Sequence, residues 1–186
     1  MKKEIIVLDT ETGGLDHLRS GLCSVALKVF GREESLHLLI KPNPFLDYSS
    51  SAFNTNGLSA ELLEEKGVSE EEAVRLIEDF IWTNFAEKPY CMGHNVGFDL
   101  RFLEALFSRH SKTFVNNKVH YNFLDTKVIA IFLHHAGLVK YYKHNLSFLY
   151  EYFTGKSPSG AHDAMNDVLM TEELYYALIK KVQEAE

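Results

Sequence analysis

Two carboxylates directly follow an apolar run near the start of the chain. Residues 5–8 are continuously apolar and largely β-branched, and Asp9 and Glu11 come immediately afterwards. This composition is typical of a strand buried on both faces, and the i, i+2 spacing places both acids on one face of an extended chain. Two acids held side by side repel each other, and a bound Mg²⁺ or Mn²⁺ would remove that repulsion. A strand that ends in a polar, solvated turn would give the same local sequence, so the pair does not decide between the two interpretations.

Further along the chain, three side chains could join this acidic pair. Asp99 begins a helical pattern just after a strand end, and Asp167 lies five residues after His162. Residues five apart in a helix project within about 140° of each other, so His162 and Asp167 can flank one cavity if His162 precedes the helix. Each also has a simpler interpretation: Asp99 as an acid in a first helical turn, Asp167 as a solvated position and His162 as an exposed cap. We interpret the competing acid Asp163 as the helix cap.

The hydrophobic pattern predicts the elements that would hold these side chains. Strands are predicted at residues 5–8, 22–30, 34–40, 90–92 and 121–124, and helices at about 70–85, 98–107, 126–137, 145–153 and 163–182. Residues 47–58, rich in Ser and Asn, are expected to form a long surface loop. Three strands joined by short turns, followed by strands alternating with helices, predict a three-layer α/β fold with a mixed five-stranded sheet flanked by helices. At 186 residues the chain is expected to form a single domain, 1–186.

Composition places the chain among ordinary globular proteins. Hydrophobic residues make up 46% of the chain and charged residues 24%. No apolar run approaches the roughly 18–20 residues that span a bilayer, and the N-terminus lacks the apolar core of a signal peptide. Cys23 and Cys91 both lie in apolar stretches and are expected to be buried and reduced. We therefore expect a cytoplasmic protein with no membrane association.

The net charge of −7 argues against a protein that grips nucleic acid over its whole surface. The charge is unevenly placed, however, because residues 105–150 contain a single acid, Asp125, among six basic residues. That stretch ends in Lys140, two tyrosines and Lys143. Lysines that contact phosphates beside aromatic rings that stack on bases suit single strands of any sequence. A solvated loop whose tyrosines pack on the core would explain the same residues.

Three short segments taken together resemble the motifs of DEDDh-type 3′–5′ exonucleases. They are Asp-Thr-Glu-Thr at 9–12, His-Asn-Val-Gly-Phe-Asp at 94–99 and His-Asp-Ala-Met-Asn-Asp at 162–167. That family includes the proofreading subunits of bacterial replicative polymerases, ribonuclease T and oligoribonuclease. The first motif by itself is a weak signal, whereas all three in this order and separation are specific, and they cover nearly the whole chain. The resemblance implies a ribonuclease H-like fold and a 3′–5′ exonuclease that uses two divalent cations, Mg²⁺ or Mn²⁺, to release nucleoside 5′-monophosphates from single-stranded 3′ ends.

The resemblance also implies roles for particular residues. The metal-binding carboxylates would be Asp9, Glu11, Asp99 and Asp167, with Asp9 bridging both ions. His162 would be the general base, a role that suits an imidazole near neutral pH. More loosely, Thr12 and Leu15 would meet the terminal nucleotide, Asn56 would flank it, Phe98 would pack near the terminal sugar, and Lys140 and Lys143 would contact the strand.

Two departures from the family pattern leave the substrate open. Gly13 stands where the family usually has Thr, and Ser-Val-Ala-Leu at 24–27 replaces an Ile-Glu-Ile-Gly-like strand. DNA is slightly favoured over RNA, with an RNA exonuclease of the ribonuclease T or oligoribonuclease type as the alternative. A non-catalytic module that binds 3′ ends or a polymerase is a further alternative, and a polymerase or repair partner fits either. A structural zinc site is disfavoured because Zn²⁺ prefers Cys and His ligands. Monomer and homodimer both remain open.

Overall fold

A mixed five-stranded sheet lies at the centre of the protein, in a computed structural model that describes residues 4–158, 160 and 163–184. The strands are β1 (Ile5–Thr12), β2 (Leu22–Val29), β3 (Ser35–Leu39), β4 (Tyr90–Gly93) and β5 (Phe123–Asp125). Their order across the sheet is β3-β2-β1-β4-β5. The pairs β1–β2 and β2–β3 are antiparallel, whereas β1–β4 and β4–β5 are parallel. The carboxyl ends of β1, β4 and β5 therefore meet at one edge, the usual place for a site in a sheet with parallel strands.

Seven helices surround the sheet in the part of the chain that the structure describes. They are α1 (Ser50–Asn56), α2 (Ala60–Lys66), α3 (Glu70–Asn84), α4 (Gly97–Arg109), α5 (Thr126–His135), α6 (Leu146–Thr154) and α7 (Ala164–Gln183). The expectation of a long loop at 47–58 was wrong, because α1 occupies most of that segment. Ser49 accepts a hydrogen bond from the Ala52 N–H and caps α1, and Gly57 ends it in the left-handed conformation at φ 69°. One of the serines that suggested a loop, Ser49, thus serves as the helix cap, and sparse apolar residues hide the helical period.

Alternating side chains of the central strands build two separate cores. Ile6 and Leu8 of β1 pack with side chains of α3 and α4 on one face. Val7 of β1 packs on the other face with Ala164 and Val168 of α7. A third cluster joins α5 and α6 to α7. These layers confirm the predicted three-layer arrangement, and they leave the carboxyl end of β1 accessible between α4 and α7.

A buried ion pair fixes α7 against the sheet. Lys28 Nζ of β2 lies 2.7 Å from Glu172 Oε2 of α7, and both side chains are about one-tenth exposed. The Gly31 N–H donates to the other Glu172 oxygen at 2.6 Å. A buried carboxylate paired in this way is costly to displace. The helix that carries Asp167 is therefore held in register with β2.

The basic stretch at 105–150 does not form one cationic face. Arg109 pairs with Glu70 at 2.6 Å, and both Lys112 and Lys118 pair with Glu78. These acids belong to α3, which packs beside α4, so three of the six cations are neutralised. The separation of charge along the sequence is thus partly cancelled in space.

Two expectations about the cellular compartment can be compared with the structure: the state of the cysteines and the presence of membrane-spanning helices. Cys23 and Cys91 are buried and free, as predicted. Within residues 4–158 and 163–184, no helix combines the length and apolar character needed to cross a bilayer.

Candidate active site

Three of the four predicted metal ligands converge at the carboxyl end of β1. Asp9 and Glu11 lie on the same face of β1 as Val7, the face that α7 covers. Asp167 comes from the first turn of α7. One carboxylate oxygen from each of these three residues lies within 4.8 Å of the other two. Side chains from the two ends of the sequence therefore form one acidic cluster.

The fourth acid, Asp99, is attached to the same strand. Its side chain is 4% exposed, and its Oδ1 accepts hydrogen bonds from the Thr10 N–H at 3.0 Å and the Thr10 hydroxyl at 2.7 Å. Thr10 lies between Asp9 and Glu11 in β1. The hydrogen bonds from Thr10 therefore hold the Asp99 carboxylate, which belongs to α4, at the edge of the acidic cluster. Burial raises the pKa of Asp99 to about 7, against the lowering effect of the Thr10 hydrogen bonds.

Crowding of the acids shifts the protonation of the cluster. Burial, followed by the charges of Asp99 and Asp167, raises the pKa of Asp9 well above its ordinary value. Burial and then the Asp167 charge raise the pKa of Glu11 to about 8. Oxygen donors that repel each other in a partly dry site suit a hard divalent cation such as Mg²⁺ or Mn²⁺. The donor set therefore fits the cation class predicted from the sequence.

The metal-free protein is expected to lose stability as the pH rises through about 7 to 8. The folded-state pKa values of Glu11 and Asp99 lie above those of unfolded acids, near 4. The contribution of Glu11 and Asp99 to the free energy of unfolding is therefore fully present below about pH 4, and it is lost as the pH rises through the folded-state pKa. The midpoint of thermal unfolding in EDTA should fall between about pH 5 and about pH 9, and saturating Mg²⁺ should reduce that fall. A midpoint in EDTA that is constant or rises over this range would contradict the proposed crowding.

The residues expected near the terminal nucleotide adjoin the cluster. The Asn56 side chain is buried and donates to the Thr12 carbonyl at 3.3 Å, while the Thr12 hydroxyl donates to the Gly14 carbonyl at 2.7 Å. Leu15, on the turn after β1, is 88% exposed. Phe98 precedes Asp99 and packs against Phe102 with ring centroids 4.9 Å apart. The structure thus brings Thr12 and Asn56 together and presents Leu15 to solvent beside them.

The departure at Gly13 has a steric cause. A Cβ at this position would lie 2.7 Å from the Tyr48 ring and 2.8 Å from the Asp47 carbonyl oxygen. The Ser49 N–H also donates to the Gly13 carbonyl at 2.8 Å. The Tyr48 ring thus packs directly on the backbone after β1, where the usual Thr would not fit.

Gly13→Ala is expected to lower the midpoint of thermal unfolding by about 5 °C, since overpacking typically costs about 1–3 kcal/mol. Gly97→Ala is the matched control, because its Cβ would meet nothing closer than Arg101 Nη1 at 3.8 Å. Differential scanning calorimetry of both variants measures the difference. Equal midpoints for the two variants would show that the Tyr48 segment adapts without cost.

The two lysines predicted to contact the strand lie in different places. Lys140 shares a surface depression with Lys181 and Glu184, about 21–25 Å along α7 from Asp167 at the usual helical rise. Lys143 lies beside His144, and its Nζ is 5.7 Å from the centroid of the exposed Tyr142 ring. Tyr141, by contrast, is buried in the core between α5, α6 and α7. The structure thus does not bring Lys140 to the acidic cluster.

His162, the predicted general base, lies outside the described residues. Its neighbour Asp163 accepts a hydrogen bond from the Asn166 N–H at 3.0 Å and caps α7, as predicted. The helix α7 therefore begins at Ala164, two residues after His162 in the sequence.

Sequence reasoning missed the residues that extend the site toward α5 and α6. A cavity of about 350 Å³ is lined by Asp9 and Asp167 and also by His94, Lys127 and His144. His94 follows β4 and Lys127 follows β5, and both strands run parallel to β1 or its neighbour. Residues just after parallel strands meet at one edge of the sheet, which is the signal that could have found them.

Comparison with known proteins places this chain in a family. The family model described as "Exonuclease", of the RNase T group, matches residues 6–175. The chain belongs to this exonuclease family. Membership confirms the predicted enzyme class, the hydrolytic 3′–5′ exonucleases, and disfavours a non-catalytic module.

Two bacterial relatives of this exonuclease illustrate the family. The DNA polymerase III subunit epsilon of Rickettsia conorii is 30% identical over 188 residues, which cover 97% of this chain and 75% of the relative. The PolC-type DNA polymerase III of Thermotoga maritima is 27% identical over 181 residues, which cover 96% of this chain. The exonuclease spans 12% of the length of that second relative.

Solved structures of E. coli exonuclease I share the fold. Its complex with a dT13 oligonucleotide has a TM-score of 0.78 and 19% identity, covering 99% of this chain and 42% of that chain. A zinc-bound form of its complex with single-stranded DNA has a TM-score of 0.76 and 21% identity, covering 99% of this chain and 42% of that chain. This likeness confirms the predicted ribonuclease H-like fold.

Proposed function

We propose that this exonuclease removes nucleotides one at a time from the 3′ end of single-stranded nucleic acid, with DNA favoured over RNA. Its products are nucleoside 5′-monophosphates and a strand shortened by one nucleotide. The observation that carries the proposal is the convergence of Asp9, Glu11 and Asp167 within 4.8 Å, with Asp99 attached beside them. Family membership supports the reaction class.

Asp9, Glu11, Asp99 and Asp167 would hold the two divalent cations, Mg²⁺ or Mn²⁺, that the proposed reaction uses. When bound, such ions would supply positive charge that stabilises the oxygens of the attacked phosphate and would lower the pKa of bound water. The protein orients the ligands in advance, because Thr10 holds Asp99 and the Lys28–Glu172 pair holds the helix that carries Asp167.

His162 is proposed as the general base. It takes a proton from the water whose oxygen attacks phosphorus, while the bond from phosphorus to the 3′ oxygen of the preceding nucleotide breaks. That 3′ oxygen is protonated and becomes the new end of the strand. The sequence position of His162, directly before the cap of α7 and five residues before Asp167, supports this assignment.

The terminal nucleotide is proposed to lie against Thr12, Leu15 and Phe98. Asn56 holds the Thr12 backbone and contributes indirectly. Lys143 would contact a phosphate, and the exposed Tyr142 ring beside it would stack on a base. Lys140 is left out of this assignment because of its position at the far end of α7.

The preference for DNA and a polymerase partner rest on the relatives. The two relatives are DNA polymerase III proteins, and the structural neighbour exonuclease I was solved with a DNA oligonucleotide. We therefore propose that the enzyme acts on DNA in the cytoplasm, beside a polymerase.

A time course on 5′-labelled and 3′-labelled oligonucleotides of DNA and RNA, with Mg²⁺, Mn²⁺ or EDTA, tests the proposal. The 5′-labelled DNA should shorten one nucleotide at a time, and the 3′ label should appear at once as a mononucleotide. Faster degradation of RNA would establish the alternative substrate. Undiminished hydrolysis in excess EDTA would contradict the role of the carboxylates.

A further inference from the structure

The cavity beside the acidic cluster has cationic and polar walls. Asp9 and Asp167 line it together with Lys127, in the first turn of α5, and with His144 and Asn145, at the start of α6. A polyanion that reaches the carboxylates meets a strongly negative site, so favourable contacts must lie close by. Lysine, imidazole and amide N–H groups are the usual donors to phosphodiester oxygens.

Among the described residues, Lys127 has no acidic partner, whereas most of the cations there do. Most lysines and arginines of residues 4–158 and 163–184 form ion pairs with Asp or Glu, including Arg109, Lys112 and Lys156. Lys127 belongs to none of the ion pairs in that part of the chain, although it shares a cavity with Asp9 and Asp167. Its ammonium is therefore available to an anionic ligand and is not in direct contact with the carboxylates.

A half-buried histidine holds the His144 segment at this cavity. His94 Nε2 lies 2.8 Å from the His144 carbonyl oxygen, and His94 Nδ1 lies 2.9 Å from the Thr126 hydroxyl. Since a carbonyl only accepts, Nε2 carries the proton and Nδ1 accepts from Thr126. Burial lowers the pKa of His94, which favours this neutral form. The ends of β4 and β5 thus fix the backbone of the loop before α6.

The side chains of His144 and Asn145 on that loop line the cavity. The His144 ring packs edge-on against the buried Tyr141 ring at 5.3 Å, which limits its motion. Asn145 occupies the cap position of α6, yet its side chain makes no cap hydrogen bond. The amide is therefore free to meet a ligand.

We propose that Lys127, His144 and Asn145 form a subsite for a second backbone phosphate of the substrate strand, next to the phosphate that is hydrolysed. The inference rests on the proposed nuclease function and adds how the strand is held. Because the subsite recognises a phosphodiester and no base, it serves any sequence. It also gives the enzyme a preference for substrates that carry at least two phosphates.

Binding without catalysis tests the subsite first. Anisotropy of a 5′-fluorescent single-stranded oligonucleotide is measured in excess EDTA at several salt concentrations, for the wild type and for Lys127→Met. Loss of one phosphate contact should reduce the slope of log affinity against log salt by about 0.7. Lys66→Met, an exposed lysine of α2 outside this cavity, is the control and should keep the wild-type slope. An unchanged slope in Lys127→Met overturns the subsite, as does a reduced slope that appears in Lys140→Met instead.

Kinetics then separate the second phosphate from the reacting one. The p-nitrophenyl ester of thymidine 5′-monophosphate carries a single phosphate, whereas a short oligonucleotide carries several. In Lys127→Met the ratio of kcat/KM for the oligonucleotide to kcat/KM for the ester should fall about tenfold, the usual size of a charge-assisted contact. An equal loss on both substrates would place Lys127 at the reacting phosphate and overturn the proposal. Failure of the wild type to hydrolyse any oligonucleotide would overturn the proposed function, while the salt dependence in EDTA would still decide the subsite.

Discussion

Asp9→Asn is expected to reduce kcat about 10³-fold while raising the thermal stability of the metal-free protein. Asp9 lies in the middle of the acidic cluster, where burial and the charges of Asp99 and Asp167 raise its pKa well above the ordinary value. Metal ions contribute several kcal/mol of transition-state stabilisation, and a loss of about 4 kcal/mol corresponds to about 10³-fold in rate. Asn keeps the shape of Asp but removes one of the repelling charges.

The stability change distinguishes loss of a ligand from general damage. In EDTA, removal of one charge from the crowded cluster should raise the midpoint of unfolding by roughly 2–4 °C per kcal/mol of relieved repulsion. Added Mg²⁺ should stabilise the variant less than it stabilises the wild type. Asp79→Asn, an exposed acid of α3 paired with Arg75, is the control and should retain the wild-type rate. An active Asp9→Asn variant, or one that is inactive and also less stable in EDTA, would contradict the assignment.

His162→Ala is expected to lower kcat by about 10²–10⁴-fold, the usual contribution of a general base. Affinity for a single-stranded oligonucleotide in EDTA should change little, because the base acts on water and does not hold the strand. The wild-type rate should rise with pH as an imidazole, whose unperturbed pKa is about 6.5, loses its proton. The residual rate of the variant should not show this rise with pH.

A second histidine provides the control for this prediction. His135, exposed in the last turn of α5, should be replaceable by Ala with no change in the pH profile. Rapid-quench measurements of a single turnover report the chemical step and exclude an effect on product release. If His162→Ala keeps the wild-type single-turnover rate at saturating Mg²⁺, the histidine is only the residue before the helix cap.

The sequence by itself determined the chemistry of the cluster and the strand that carries it. Asp9 and Glu11 had to share a face of β1, because side chains in a strand alternate with a period of two. Asp163 had to cap α7 and Asp167 had to follow in its first turn, because cap and helix chemistry is local. The motif order then sufficed to identify the class of enzyme.

Contacts between distant segments decided which cations face the substrate. Arg109, Lys112 and Lys118 belong to a basic stretch of sequence, but α3 supplies Glu70 and Glu78 to neutralise them. Composition counts charge along the chain, whereas pairing depends on which helices lie side by side, and local patterns carry no information on that.

Tertiary structure likewise placed Lys127 at the site and Lys140 away from it. Both lysines lie in the same basic stretch, yet Lys127 shares a cavity with Asp9 while Lys140 lies beside the end of α7. The position of Lys127 follows from the parallel pairing of β4 and β5 in the order of the sheet. Strand order is set by the packing of the whole core, so the residues that bind around a catalytic cluster are fixed only when the chain folds.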